Sequence, residues 1–296
     1  MRRAALLLVA PLCASCLAFH QGPLPGAKGT FADVGGVPVR YVDMGEGPAV
    51  VMIHGFASAL ETWTGLAAEL KASHRVIALD LKGFGLTGRP PGDYSPAAQA
   101  DLVLALLDQR GVKRAAFVAH SYGVSVALQI ALKAPDRVTR LALYDAWVYD
   151  DQLPTLFLWA RARGVGEALF GLFYNERPED KLAQAFFDPT IIPEQLVEDI
   201  ERNLARPGTR AAALAAVRGM RYAELARRYR EIDKPALLLW GREDRVTPVA
   251  VGERLLHDLK QARLVVFPRC GPLPMVEAAR PSNAEVVRFL ASAEAR

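Results

Sequence analysis

Short apolar runs alternate with amphipathic stretches along most of the chain. Residues 30–34 and 37–43 are rich in β-formers and are separated by Gly35-Gly36, which predicts an antiparallel hairpin. The runs at 49–53, 76–81, 115–119, 138–144, 236–240 and 264–267 lack polar alternation, as strands covered on both faces require. Between them apolar residues return at helical spacing over 61–70, 96–110, 122–133, 249–259 and 283–293. This alternation predicts an α/β fold, a mostly parallel sheet with helices on both faces. It stops between 147 and 230. That stretch is helix-prone and carries Trp147, Tyr149, Phe157, Trp159, Phe170, Phe173, Tyr174, Phe186 and Phe187, which predicts a helical lid over a pocket lined by some of these rings.

A chain of 296 residues, 51% hydrophobic, can bury a large core, and the order of elements favours one domain with an insertion over two domains. The divisions read as an export segment at 1–18, a Pro- and Gly-rich tether at 19–29, a core at 30–146 and 231–296, and the lid at 147–230. Net charge is +4, with two of the positive charges at Arg2 and Arg3 of the export segment. Eight arginines fall within 202–230, but they spread around the helical repeat rather than clustering with interleaved aromatics, so no nucleic-acid partner is expected. The histidines at 20, 54, 74, 120 and 257 form no helical pair of the kind zinc uses, and no metal or cofactor is expected.

The first 18 residues open with two arginines, continue in an apolar run over 4–12 and reach Cys13-Ala14-Ser15-Cys16. The run is shorter than the roughly 20 apolar residues a transmembrane helix needs, and it reads as an export signal. Cys16 after Ala14-Ser15 resembles a bacterial lipoprotein cleavage site, although Cys13 stands where leucine is usual. The expectation is a lipid anchor on Cys16 and membrane attachment in the periplasm; a cleaved soluble product or an uncleaved leader are the alternatives. Loss of Cys13 and lipidation of Cys16 would leave Cys270 alone, with no intrachain disulfide.

Candidate chemistry centres on Ala119-His120-Ser121-Tyr122-Gly123, a serine between small residues at a strand-to-helix junction. A sharp turn there needs small side chains two positions either side, and it would stand the serine oxygen clear of the sheet edge. Further landmarks are His54-Gly55-Phe56, the run Asp80-Leu81-Lys82-Gly83-Phe84-Gly85, Trp240-Gly241-Arg242-Glu243-Asp244 and Val246-Thr247-Pro248. In this order, over roughly 30–295, they resemble the α/β-hydrolase family of serine esterases and carbon–carbon bond hydrolases. The resemblance implies a nucleophile at Ser121, an acid at Asp244 and oxyanion donors at the N–H groups of Phe56 and Tyr122. Asp145 lies where some members carry the acid instead.

One landmark departs from the family. At the position of its catalytic histidine the sequence reads Cys270-Gly271-Pro272-Leu273-Pro274-Met275-Val276-Glu277, with Pro272 where the imidazole is expected. Proline cannot accept a proton and fixes its own backbone. His54 belongs to the oxyanion loop, His120 is expected to turn away from Ser121, and His257 lies on a predicted surface helix. The reading is an exported serine-hydrolase-type protein, weakly active or inactive, whose pocket suits a small apolar ester or ketone-like molecule. A hydrolase with a base from elsewhere and a non-catalytic ligand-binding or interaction protein are the other readings. Ser121 argues against members that use an aspartate nucleophile.

Overall fold

The computed structural model describes residues 17–22, 24, 26–174 and 178–292. Its strands are β1 (Thr30–Val34), β2 (Val37–Met44), β3 (Ala49–Ile53), β4 (Arg75–Leu79), β5 (Ala115–His120), β6 (Val138–Tyr144), β7 (Ala236–Gly241) and β8 (Ala262–Phe267). They form a single sheet in the order β1-β2-β4-β3-β5-β6-β7-β8. β2 pairs antiparallel with β1 and β4, and the remaining pairings are parallel. The β1–β2 turn rests on Gly35 and Gly36, whose φ angles of 59° and 83° are left-handed and favour glycine.

Helices α1 (Thr64–Leu70), α2 (Pro96–Gln109) and α3 (Tyr122–Lys133) follow β3, β4 and β5. Among the described residues six more lie between β6 and β7: α4 (Thr155–Ala160), α5 (Val165–Phe173), α6 (Pro178–Ala185), α7 (Glu194–Ala205), α8 (Thr209–Gly219) and α9 (Ala223–Arg227). After β7 come α10 (Val249–Asp258), α11 (Pro274–Glu277) and α12 (Ala279–Ala291). Both sheet faces are covered. Phe117 and Ala119 of β5 join the core formed with Val103, Leu106 and Val126 of α2 and α3, while Ala116 and Val118 join Trp63, Leu66, Val286 and Phe289 on the opposite side. Burial of such side chains is worth about 1.5–3 kcal/mol each, which is why β5 carries no polar residue before its last position.

Some boundaries differ from expectation for local reasons. The last helix begins at Ala279 because Pro281 falls in its first turn, where no N–H is required. A 3₁₀ turn over Leu60–Trp63 precedes α1. Part of the expected tether is docked: Phe19 stacks on Tyr94 at 5.9 Å, the His20 N–H donates to the Arg89 carbonyl at 3.1 Å, and Leu24 is buried. Cys13 and Cys16 lie outside the described residues, and Cys270 is a buried free thiol. Among the described residues no helix is long and apolar enough to cross a membrane.

Candidate active site

Ser121 sits between β5 and α3 at φ 50°, ψ −117°, a conformation that costs a non-glycine residue about 1–3 kcal/mol. Backbone bonds hold it there: Ser121 N–H donates to Tyr144 O at 2.9 Å, and Trp147 N–H donates to Ser121 O at 3.2 Å. The turn is tight enough that a Cβ on Gly123 would lie 2.5 Å from the His54 carbonyl oxygen and 2.6 Å from that of Ile53. One on Gly55 would come within 2.8 Å of His120 Nδ1. These contacts explain the small residues at both places.

Tyr122 opens α3, so its N–H lies outside the helical ladder. Phe56 follows the end of β3, and its N–H makes no backbone hydrogen bond among the described residues. Its ring lies at the centre of an aromatic mesh, with Phe84 at 5.4 Å, Phe157 at 5.5 Å, Trp147 at 6.4 Å and Tyr122 at 6.5 Å. His54 positions this loop. Its Nε2 accepts from Leu81 N–H at 3.0 Å, so Nδ1 carries the proton and donates to Gly55 O at 2.7 Å. Burial lowers its pKa to about 4 and keeps it neutral. Asp80 ties down the next loop by accepting from Leu60 N–H at 2.8 Å and Leu86 N–H at 2.7 Å. Burial raises its pKa to about 6 against the pull of Arg40.

Asp244 is nearly fully buried, behind Val246 and Thr247, which line the cavity. Its Oδ1 accepts from Val246 N–H at 2.7 Å and Thr247 N–H at 2.9 Å, and its Oδ2 accepts from the Thr247 hydroxyl. Asp145 is its neighbour. There Oδ1 accepts from Gly241 N–H at 3.0 Å, and Oδ2 has no N–H or hydroxyl donor among the described residues. Burial first and the Asp244 charge second push Asp145 well above the usual carboxylate range. Asp244 is therefore not the bare, unpartnered carboxylate that a missing imidazole suggests. Donors of its own loop satisfy it.

The Cys270-Gly271-Pro272 loop is also held independently of side chain 272. Glu277 accepts from Gly271 N–H at 3.0 Å, from Leu273 N–H at 3.3 Å and from Phe187 N–H at 2.9 Å, joining this loop to the helical insertion. The Glu243 N–H donates to the Cys270 carbonyl at 2.9 Å, and the Cys270 N–H donates to the Glu243 carboxylate at 2.9 Å. His120, expected to face away, instead lines the cavity together with Ser121. Its Nε2 donates to the Pro272 carbonyl at 2.9 Å, its Nδ1 has no partner, and burial lowers its pKa to about 4.

A cavity of about 500 Å³ lies above Ser121. Phe56, Trp147, Phe157, Phe170 and Tyr174 form much of its wall, with Pro272 and Leu273 on another side. Among the described residues, Ser121, His120 and Asp145 bring polar chemistry to it, supplemented by Ser58, Thr62 and Thr247. No described imidazole bonds the Ser121 hydroxyl: both nitrogens of His54 are engaged, His120 Nδ1 is unpartnered, and His257 is exposed on α10. The residues brought together are thus Phe56, Ser121, Tyr122, Asp145 and Pro272, with Asp244 directly behind. A residue whose role sequence reasoning left unassigned is Glu277. For Glu277 the signal was its retention in the family pattern; its loop-clamping role depends on distant contacts.

The α/β hydrolase fold family matches residues 48–279. The dihydrolipoyllysine-residue acetyltransferase component of the acetoin cleaving system of Pseudomonas putida is 31% identical over 288 residues, covering 91% of this chain and 70% of that protein. A 2-hydroxymuconate semialdehyde hydrolase of Pseudomonas sp. (strain CF600) is 30% identical over 273 residues, covering 88% and 93%. In three dimensions a thermophilic esterase from Thermogutta terrifontis is similar with a TM-score of 0.76 at 26% identity, over 89% of this chain and 97% of that one. The eight-stranded sheet, the strained serine between β5 and α3, and a family match over most of the length lead to one assignment: the chain belongs to the α/β-hydrolase fold family.

Proposed function

We propose that this is an exported hydrolase-type protein that attacks small apolar esters or ketone-like carbonyl compounds through Ser121, with its rate limited by the want of a base. The observation that carries the reading is the pairing, in one cavity, of a strained Ser121 with Pro272 instead of a proton acceptor. Ser121 Oγ would attack the carbonyl carbon, and the charge developing on oxygen would meet the N–H groups of Phe56 and Tyr122. The serine proton then needs an acceptor. Asp244 is engaged by donors of its own loop, and His120, with its pKa near 4, is a weak base at neutral pH. Losing the histidine from a complete triad costs about 10⁶ in kcat, while oxyanion donors and binding retain about 10³–10⁴ over water.

Incubation with a serine-directed phosphonate, followed by peptide mass spectrometry, tests the reading. Slow, incomplete labelling confined to Ser121 supports it; rapid stoichiometric labelling contradicts it. A second reading, non-catalytic ligand binding, is favoured by the mostly apolar cavity, whose walls come largely from residues other than Pro272. Native mass spectrometry showing a retained small molecule that is never turned over would favour that reading.

A further inference from the structure

Of the nine most exposed large apolar side chains among the described residues, seven lie between β6 and β7. Five of those belong to the α4–α5 hairpin: Leu156, Leu158, Trp159, Val165 and Leu172, with Trp159 at 61% and Leu172 at 64% exposure. Single exposed apolar residues are ordinary on a soluble protein, whereas a concentration on one hairpin asks for a partner. The crest is continuous with the cavity, since Leu156 is both exposed and part of its wall and Leu169 of α5 lines it from within.

Two further observations identify that partner. The described chain starts at Leu17, and Leu17 and Phe19 line a groove with Glu167 of α5 and Leu214 and Arg218 of α8. Leu17, which the apolar run and Cys16 precede in sequence, therefore lies beside α5, the helix that exposes Val165 and Leu172. Charge agrees. Residues 155–173 contain one acid, Glu167, which is bonded to Arg218 at 2.9 Å, and two arginines, with Arg163 exposed in the turn between the helices. Exposed Trp and Leu beside arginine form a face suited to the interface of an anionic bilayer.

We propose that the α4–α5 crest docks on an anionic lipid surface, on the same side as the N-terminal leader, so that the mouth of the cavity opens onto the bilayer. An apolar ester then reaches Ser121 from the lipid without crossing water. This orientation rests on reading the first 18 residues as a membrane-directed leader, and its test separates the two. Full-length protein is bound to phosphatidylglycerol-containing vesicles whose acyl chains carry bromine near the headgroup, and tryptophan emission and flotation are both recorded. Trp63, Trp147 and Trp240 are buried, so Trp159 is the reporter. The expected result is flotation with quenched emission, the quenching being lost in Trp159→Phe while flotation persists. Flotation without quenching of Trp159 would overturn the docking face and leave the leader reading intact. Neither flotation nor quenching would overturn both. An unquenched protein that dimerises, and that Trp159→Asp renders monomeric, would show the crest to be covered by a second copy and would also overturn the proposal.

Discussion

Pro272→His is expected to accelerate hydrolysis of p-nitrophenyl acetate by about 10⁴-fold, roughly 5.5 kcal/mol of barrier. The ceiling is the contribution of a histidine to a complete triad, about 10⁶ or roughly 8 kcal/mol. Much of the required scaffold is independent of side chain 272: Glu277 holds the N–H groups of Gly271 and Leu273, and His120 holds the carbonyl of residue 272. Two features lower the gain. Histidine releases the φ that proline fixes near −65°, and Asp244 already accepts three donors from its own loop, so an imidazole N–H must share an oxygen with one of them. A misplacement of about 1 Å costs about 10², which brings the expectation from 10⁶ to 10⁴. Initial rates would be read with the rate of phosphonate labelling, and thermal unfolding would confirm the fold. If the variant is folded and both rates equal those of the wild type, the site has diverged beyond residue 272 and the reasoning fails.

Gly123→Ala should destabilise the protein by about 1–3 kcal/mol, because the new Cβ meets two carbonyl oxygens at 2.5 and 2.6 Å; an unchanged urea midpoint would refute this packing. His120 has a folded pKa near 4 against an ordinary 6.5, so the unfolded chain takes up its proton first: its contribution to stability is whole above pH 6.5 and is lost as pH falls toward 4. Asp80 and Asp145 act with the opposite sign, since their raised pKa values favour the folded state at low pH. The variant His120→Gln should therefore lose about 3 kcal/mol less than wild type between pH 7 and pH 4 in denaturant titrations, and equal losses would contradict the buried neutral imidazole. Cys16 is expected to carry lipid, and a soluble mature chain beginning at another residue would dispose of that expectation.

The sheet was legible because β3, β5 and β7 are buried on both faces and so read as almost wholly apolar runs. The serine turn was legible because its steric demands fall on residues two positions away, Ala119 and Gly123. Long-range polar contacts were not. Nothing local in the sequence says that Asp145 and Asp244, from loops after two different strands, become neighbours whose charges interact, or that Glu277 reaches Phe187 of the insertion. The orientation of His120 likewise depends on the carbonyl of Pro272, 152 positions later. Apolar periodicity reports burial, whereas these bonds depend on where loops meet.

Turnover of p-nitrophenyl acetate by the wild type and by Ser121→Ala, at equal concentrations of folded protein, tests the want of a base most directly. The prediction is a slow wild-type rate that Ser121→Ala lowers by no more than about tenfold, because oxyanion donors and binding supply most of what remains. A fast wild-type rate that Ser121→Ala abolishes and Asp244→Ala also damages would show that the serine has a working proton acceptor, and would contradict the account.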